Sequence, residues 1–197
     1  MRTKVIIAWF CVACAGPNDG QTEAKSAVTA RRDSIDAELS ALVRRLPPDS
    51  LDSLPPNVRA TLNARKCLIP QPVPPETINA VEGAFSAKGA VEWAVVCSVG
   101  GSSQILFMSS QTGTVFDSLD QGIDAKLVQQ KGDSKPGYSL GIHVMWEPNV
   151  AGLKTDADGK PVPQPIDHDA LDVIINDRSE IGYYRAAGNW YRVPISD

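Results

Sequence analysis

The sequence predicts an α+β fold in which a short N-terminal helical hairpin packs on a mainly antiparallel β-meander sheet. Three observations support this class. Apolar residues recur at helical spacing upstream of a proline-dense stretch at 68–76. After Gly83, short apolar runs alternate with turns rich in glycine, asparagine and serine. Many short strands joined by tight turns favour antiparallel pairing.

The first residues have the order of a secretory signal. A positively charged start precedes the short apolar run 5–12, and small residues follow at 13–16. The run is much shorter than the about 20 apolar residues that a membrane-spanning helix needs. We therefore expect an exported chain, with residues 1–13 as the signal peptide and residues 14–32 as a flexible tether.

Val12, Ala13 and Cys14 resemble the bacterial lipoprotein signal, in which a small residue precedes a cysteine that is acylated and becomes the mature N-terminus. Cys11 departs from this pattern, because the family usually carries leucine there. The resemblance implies that lipid on Cys14 anchors the protein in the cell envelope, at the outer membrane or cell surface. Cleavage after Ala15 is the competing interpretation, and it would give a secreted or periplasmic soluble protein.

This interpretation assigns different roles to the four cysteines. Cys11 lies in the removed segment and Cys14 carries the lipid, which leaves Cys67 and Cys97 as an even pair. An oxidising compartment favours a disulfide between them, and two separate buried thiols are the other hypothesis. Neither has a second cysteine or a histidine nearby in the sequence, so no metal site is predicted there.

The net charge of −4 is unevenly distributed along the chain. Residues 67–197 carry nine Lys and Arg against sixteen Asp and Glu, a local balance of −7. This acidity argues against nucleic acid as a partner. The sequence instead predicts a membrane partner through the N-terminal lipid, with an envelope protein or a ligand as a further partner. It predicts no cofactor.

Two helices are predicted before the β-rich part, and together they form the helical hairpin at 33–66. The first covers about 34–45 and the second about 56–66, and prolines at 47–48 separate them. Residues 67–197 form the predicted antiparallel β-rich domain. Apolar side chains expected on the inner helical faces are Ile35, Leu39, Leu42, Val43, Val58 and Leu62.

The β-rich domain is predicted to begin with an extended proline-rich linker at 68–76, which cannot pair as a central strand. Turn-rich residues 148–167 predict an exposed loop. Predicted strands cover 91–97, 104–109, 114–118, 138–146, 170–175, 181–185 and 190–193.

Residues 83–96 (GAFSAKGAVEWAVV) resemble a single FG-GAP or VCBS-type repeat, which implies a hairpin shape. The segment departs from that family at Ser86, Ala87 and Lys88, where such repeats carry the carboxylates that bind calcium. A propeller also needs several copies. We therefore carry over no binding residues. The flanking cysteines and the Asp-His-Asp at 167–169 also resemble uncharacterised exported bacterial proteins.

Asp156 and Asp158 are candidate metal ligands, because they precede Gly159 in a D-x-D-G turn that resembles the start of a calcium loop. A full EF-hand loop requires a glutamate at its twelfth position, and Asp167 stands there instead. The metal site is therefore not predicted, and a solvated turn is the other interpretation.

The densest polar cluster contains Asp167, His168 and Asp169, with Asp172 three residues later. In one hypothesis, the histidine and a carboxylate form an acid–base or metal pair in a hydrolase-like enzyme. In the other, an aspartate forms an Asx turn before the next strand. Because no recognised nucleophile or phosphate-binding motif accompanies the cluster, we expect a non-catalytic cell-envelope lipoprotein. It would bind a protein or ligand through its sheet face or acidic loop.

Overall fold

The computed structural model describes residues 19–73, 79–130, 135–146, 150, 153–175 and 179–193. The predicted signal peptide and the lipidation site Cys14 lie outside the described residues. The chain divides into two compact units, residues 1–35 and residues 36–197.

Helix α1 (Asp19–Ala41) starts well before the predicted position, so the expected tether is helical from Asp19 onward. Ala, Glu, Gln, Lys, Arg and Leu recur through this stretch and no proline interrupts it, which permits its length. Helix α2 (Pro56–Ala64) lies where it was predicted and buries Val58 and Leu62. Strand β1 (Arg45–Leu46) and a 3-10 turn (Pro48–Ser50) separate the helices, so the helical hairpin is not confirmed.

The described residues form twelve strands in four antiparallel sheets, so the fold is mostly β with some helix, while the single predicted meander sheet is not confirmed. The first sheet has the order β3 (Ala80–Gly83), β4 (Glu92–Val99), β5 (Ser102–Ser109) and β6 (Val115–Ile123). The second sheet has the order β9 (Leu140–Met145), β10 (Ala170–Ile175), β11 (Ser179–Ala186) and β12 (Asn189–Val193). The two-stranded sheets pair β1 with β2 (Ile69–Pro70), and β7 (Val128–Gln129) with β8 (Gly137–Tyr138).

A central core contains inward-facing side chains of both four-stranded sheets. Every second residue of a strand points to the same face, so one face of each sheet can be apolar. The first sheet contributes Ala94, Val96, Ile105 and Phe107, and the second contributes Leu140, Ile142, Leu171 and Val173. One sheet could not bury these faces alone, which is why the chain forms two.

The opposite face of the first sheet is covered by α2 and by the segment after the 3-10 turn. Val58 and Leu62 of the helix pack with Val95 and Leu106 of the sheet. The disulfide Cys67–Cys97, with Cα atoms 5.0 Å apart, lies in this second core. The predicted disulfide is therefore confirmed in the structure.

The outer face of the second sheet is partly covered by the segment predicted to be an exposed loop. That prediction is wrong for Val162 and Ile166, which are buried against Ala170 and Tyr184. Polar and turn-forming residues dominate the sequence of this loop, so its few buried apolar anchors did not stand out.

Asn79 connects the edges of the two sheets. Its Nδ2 donates to the carbonyl oxygens of Pro70 (2.8 Å) and Leu140 (2.9 Å). Its Oδ1 accepts a hydrogen bond from the Ile142 amide at 3.2 Å, and its own carbonyl accepts one from Val96 at 2.9 Å. The side chain is fully buried, and it satisfies backbone hydrogen-bonding groups of Pro70, Leu140 and Ile142.

Candidate ligand-binding cleft

A cleft of about 330 Å³ opens where β3, the loop after it and the ends of β9 and β10 meet. Small residues form one part of its lining: Gly83, Ala84 and Ala90. Two larger apolar residues, Val91 and Trp146, and two acidic residues, Glu82 and Asp169, form the rest. The volume is at the lower end of the range for small-molecule sites.

The loop between β3 and β4, which carries part of the cleft lining, is tied to β4 by the buried carboxylate of Glu92. Its Oε2 accepts hydrogen bonds from the backbone amides of Phe85 and Ser86, each at 2.8 Å. The Ser86 hydroxyl donates to the other carboxylate oxygen. Backbone amides form strong hydrogen bonds with a carboxylate, so the start of the loop that carries Ala90 and Val91 is held against β4.

The base of the cleft is held by two hydrogen bonds between Ala84 and Asp169. The Asp169 amide donates to the Ala84 carbonyl at 2.9 Å, and the Ala84 amide donates to Asp169 Oδ2 at 2.9 Å. Gly83 lies directly against the buried Phe85 ring, since a Cβ there would be 2.7 Å from Phe85 Cζ. A larger residue at position 83 would displace this ring and disturb the base.

The cleft presents apolar surface beside negative charge. Trp146 is 60% exposed and Val91 is 49% exposed, although both are large apolar residues. Glu82 is exposed and Asp169 is half-buried, and both line the same cleft. The described lining residues include two carboxylates and no lysine or arginine.

His168, the centre of the predicted hydrolase-like cluster, is buried and hydrogen-bonded through both ring nitrogens. Nε2 lies 2.7 Å from the Arg185 carbonyl oxygen, which only accepts, so this nitrogen carries a proton. Nδ1 contacts Asp167 Oδ1 at 2.8 Å and the Tyr184 hydroxyl at 3.1 Å. The imidazole also stacks on Tyr184 with ring centroids 4.5 Å apart. These contacts hold the loop against the second sheet and leave the ring little access to a substrate.

The structure separates the other members of that cluster. Asp169 lines the cleft, whereas Asp172 lies on the outer face of β10, opposite His143 of β9 in the strand register. Burial and the nearby Glu180 carboxylate raise the pKa of Asp172 to about 7. Its Oδ1 is buried and finds no hydrogen-bond partner among the described residues. Asp167, His168, Asp169 and Asp172 therefore do not form one site.

The acidic turn at Asp156 and Asp158 has the geometry of a local backbone cap. Asp156 Oδ1 accepts hydrogen bonds from the amides of Asp158 (3.0 Å) and Lys160 (2.7 Å). Asp158 approaches Arg192 at 3.8 Å. Within the described part of the chain, no group of three or more His, Cys, Asp or Glu side chains could hold a metal ion.

Sequence reasoning missed three residues of the cleft region: Glu82, Glu92 and Trp146. The resemblance at 83–96 had indicated a hairpin there, and Trp146 had been placed at the end of an alternating strand. A tryptophan at a strand end, followed by Glu-Pro, was the available signal, since a large aromatic side chain there need not be buried.

In physical terms the molecule is a mostly β protein with a small preformed cleft where its two larger sheets meet. Comparisons with protein-family models, curated proteins and solved structures found no match. None of the helices among the described residues is sufficiently long and apolar to cross a membrane.

Proposed function

We propose that this protein is an exported, non-catalytic cell-envelope lipoprotein, anchored by lipid on Cys14, that binds a ligand in the cleft beside Trp146. The observation that carries the ligand-binding proposal is the preformed cleft with its exposed indole. The anchor rests on the positive start, the short apolar run and the small residues around Cys14.

The rigidity of the cleft supports binding because a site that is already ordered loses little conformational entropy when a ligand enters. Glu92 holds the start of the β3–β4 loop through two backbone amides, and Asp169 holds the base through Ala84. An exposed tryptophan beside polar groups is the usual composition of a recognition surface. The ligand contacts we assign are therefore Trp146, Val91 and the two acidic residues.

The binding proposal is tested by NMR on the isotope-labelled mature protein, with a panel of small cations, anions, neutral polar compounds and sugars. We expect at least one class to shift the amide signals of Ala84 and Ala90 and the indole signal of Trp146. Ala90→Trp should fill the cleft and abolish these shifts. Ala87→Trp is the matched control, since residue 87 is exposed on the same loop but does not line the cleft. Panel-wide absence of shifts would refute the proposal.

The anchor is tested by mass spectrometry of the mature N-terminus from membrane fractions. We expect an acylated Cys14 as the first residue, and loss of membrane association in Cys14→Ser. An unmodified peptide that begins at Gly16 would show ordinary signal cleavage instead and would remove the lipid from the proposal.

A further inference from the structure

We propose that helix α1 is a self-association surface, on which a second copy of this chain pairs through its own α1 in antiparallel orientation. This inference goes beyond the proposed function, because it concerns a different element from the cleft and a different partner. It rests on an apolar stripe along the helix and on the charged residues that flank the stripe.

The first argument is the apolar stripe, formed by Val28, Ile35 and Leu39 of α1 and continued by Leu42 directly after the helix. Because α1 has 3.6 residues per turn, these positions lie within about 60° of one another around its axis. Val28, Ile35 and Leu42 are 69%, 46% and 48% exposed. Helices in proteins gain most of their stability by packing an apolar face, so a stripe open to water favours a partner helix.

The second argument is the charge pattern on the two sides of the stripe. Arg31 and Glu38 lie on one side of it, and Arg32 and Asp36 lie on the other. When two copies pair antiparallel about a two-fold axis level with residues 34–35, each side of the stripe meets the same side of the partner. Arg31 then faces the partner's Glu38, and Arg32 faces the partner's Asp36. Opposite charges therefore meet on both sides.

The same four residues disfavour a parallel pair. In that arrangement residues at equal height meet, and one side of the stripe faces the other side of the partner's stripe. Arg31 would face the partner's Arg32, and Glu38 would approach the partner's Asp36. Like charges would then oppose each other at both places, so the charge pattern selects the antiparallel orientation.

The apolar residues fit the register that the charges define. About the same two-fold axis, Ile35 meets the partner's Ile35. With a rise of about 1.5 Å per residue, Val28 comes to the height between the partner's Leu39 and Leu42. One register therefore satisfies the apolar stripe and both charged sides, which is what a second copy of the same helix requires.

The paired segments are short, so the expected dimer is weak. Four apolar side chains from each copy bury less than the about 1,200 Å² that stable complexes need. We therefore expect a dissociation constant between about 10 μM and 1 mM.

The self-association is tested by sedimentation equilibrium of the mature chain with Cys14→Ser, which cannot carry lipid. Ile35→Glu should raise the dissociation constant of the dimer by about 10-fold or more, because it places two carboxylates in the centre of the stripe. Ala37→Glu is the matched control, since residue 37 is exposed on the opposite side of α1 and should leave the constant unchanged. Circular dichroism checks that both variants keep their helix content.

Charge reversal tests the orientation. Arg31→Glu alone and Glu38→Arg alone should each weaken the dimer about 3- to 30-fold, because each brings like charges together at two places. An equimolar mixture of these two variants should restore dimerisation, since every facing pair is then opposite again. Asp33→Arg, on the other side of the helix, is the control and should behave as the wild type.

Three results would overturn the proposal. A chain that stays monomeric up to about 1 mM would show that no second copy covers the stripe. A dimer that Ile35→Glu leaves unchanged would place the contact elsewhere on the protein. A dimer that Arg31→Glu strengthens, with no gain from mixing the two variants, would have parallel helices.

Discussion

Arg45 and Asp124 form an ion pair with 2.6 Å between Nη2 and Oδ2, although 79 positions separate them in the chain. Asp124 is fully buried and also accepts hydrogen bonds from the hydroxyls of Ser98 and Ser103. The Tyr138 hydroxyl donates to Ser103 at 3.0 Å. Burial raises the pKa of Tyr138, so the hydroxyl keeps its proton. One carboxylate thus ties the segment after α1 to both strands of the β4–β5 hairpin.

The first prediction concerns this carboxylate. Asp124→Ala should lower the free energy of unfolding by about 3–5 kcal/mol, because it removes the only carboxylate that Arg45 contacts among the described residues and the acceptor of two buried serine hydroxyls. Urea denaturation provides the measurement. Ser102→Ala is the control, since its exposed hydroxyl donates to the Gly122 carbonyl on the protein surface, and it should change stability by less than about 0.5 kcal/mol. A loss below about 1 kcal/mol for Asp124→Ala would contradict the network.

His168 provides the second prediction. His168→Ala should lower the free energy of unfolding by about 2–3 kcal/mol, because it removes a buried ring and its hydrogen bonds to Asp167 and the Arg185 carbonyl. Thermal or urea unfolding measures this loss, and the exposed Lys160→Ala is the control. If His168→Ala kept full stability, the structural role assigned to the ring would be wrong, and the hydrolase-like hypothesis would regain support.

The third prediction is a pH dependence that arises from Asp172. Its pKa is about 7 in the folded protein and 3.8 for the ordinary carboxyl, so the folded state binds the proton more tightly. The stability that the folded state gains from the protonated Asp172 carboxyl is therefore fully present below about pH 4 and is lost as the pH rises through about 7. Burial is the main cause, with the nearby Glu180 carboxylate second.

Asp172→Asn should remove this dependence. We expect the variant to be more stable than the wild type by about 1–3 kcal/mol at pH 8, because the amide carries no buried charge, and to differ little at pH 4. Unfolding curves at both pH values check this. Asp120→Asn is the control, since it is exposed on β6. Equal stability of Asp172→Asn and wild type at pH 8 would contradict the raised pKa.

Strand positions were predictable where side chains alternate, as at Leu140, Ile142 and Val144, because a half-buried strand imposes that period on its own sequence. The pairing of Arg45–Leu46 with Ile69–Pro70 was not, since two residues carry no period and a proline-rich stretch argues against pairing. The division into two sheets depends on how the apolar sheet faces pack against each other across the core, and no local sequence pattern predicts that packing.

The cleft was less predictable than the strands for the same physical reason. Glu82, Trp146 and Asp169 come from β3, the end of β9 and the start of β10, so only tertiary packing brings them together. The cluster at 167–172 was visible as a local density of polar residues. In a strand, however, neighbouring side chains point to opposite faces, and the chain turn before Ala170 sends His168 and Asp169 to different surroundings.

The last prediction concerns the disulfide Cys67–Cys97, whose cysteines are 30 positions apart. Cross-linking a loop of this length stabilises the fold by about 3–4 kcal/mol in the chain-entropy model. The double variant Cys67→Ala/Cys97→Ala should therefore lose about 2–5 kcal/mol, because its unfolded chain gains freedom and its core loses two buried sulfurs. Wild type in reducing buffer should lose stability in the same range, while the double variant should not respond to reductant. The wild type should be unfolded and refolded in reductant so that the bridge is reduced. If its free energy of unfolding then stayed the same, the bridge would contribute nothing to stability.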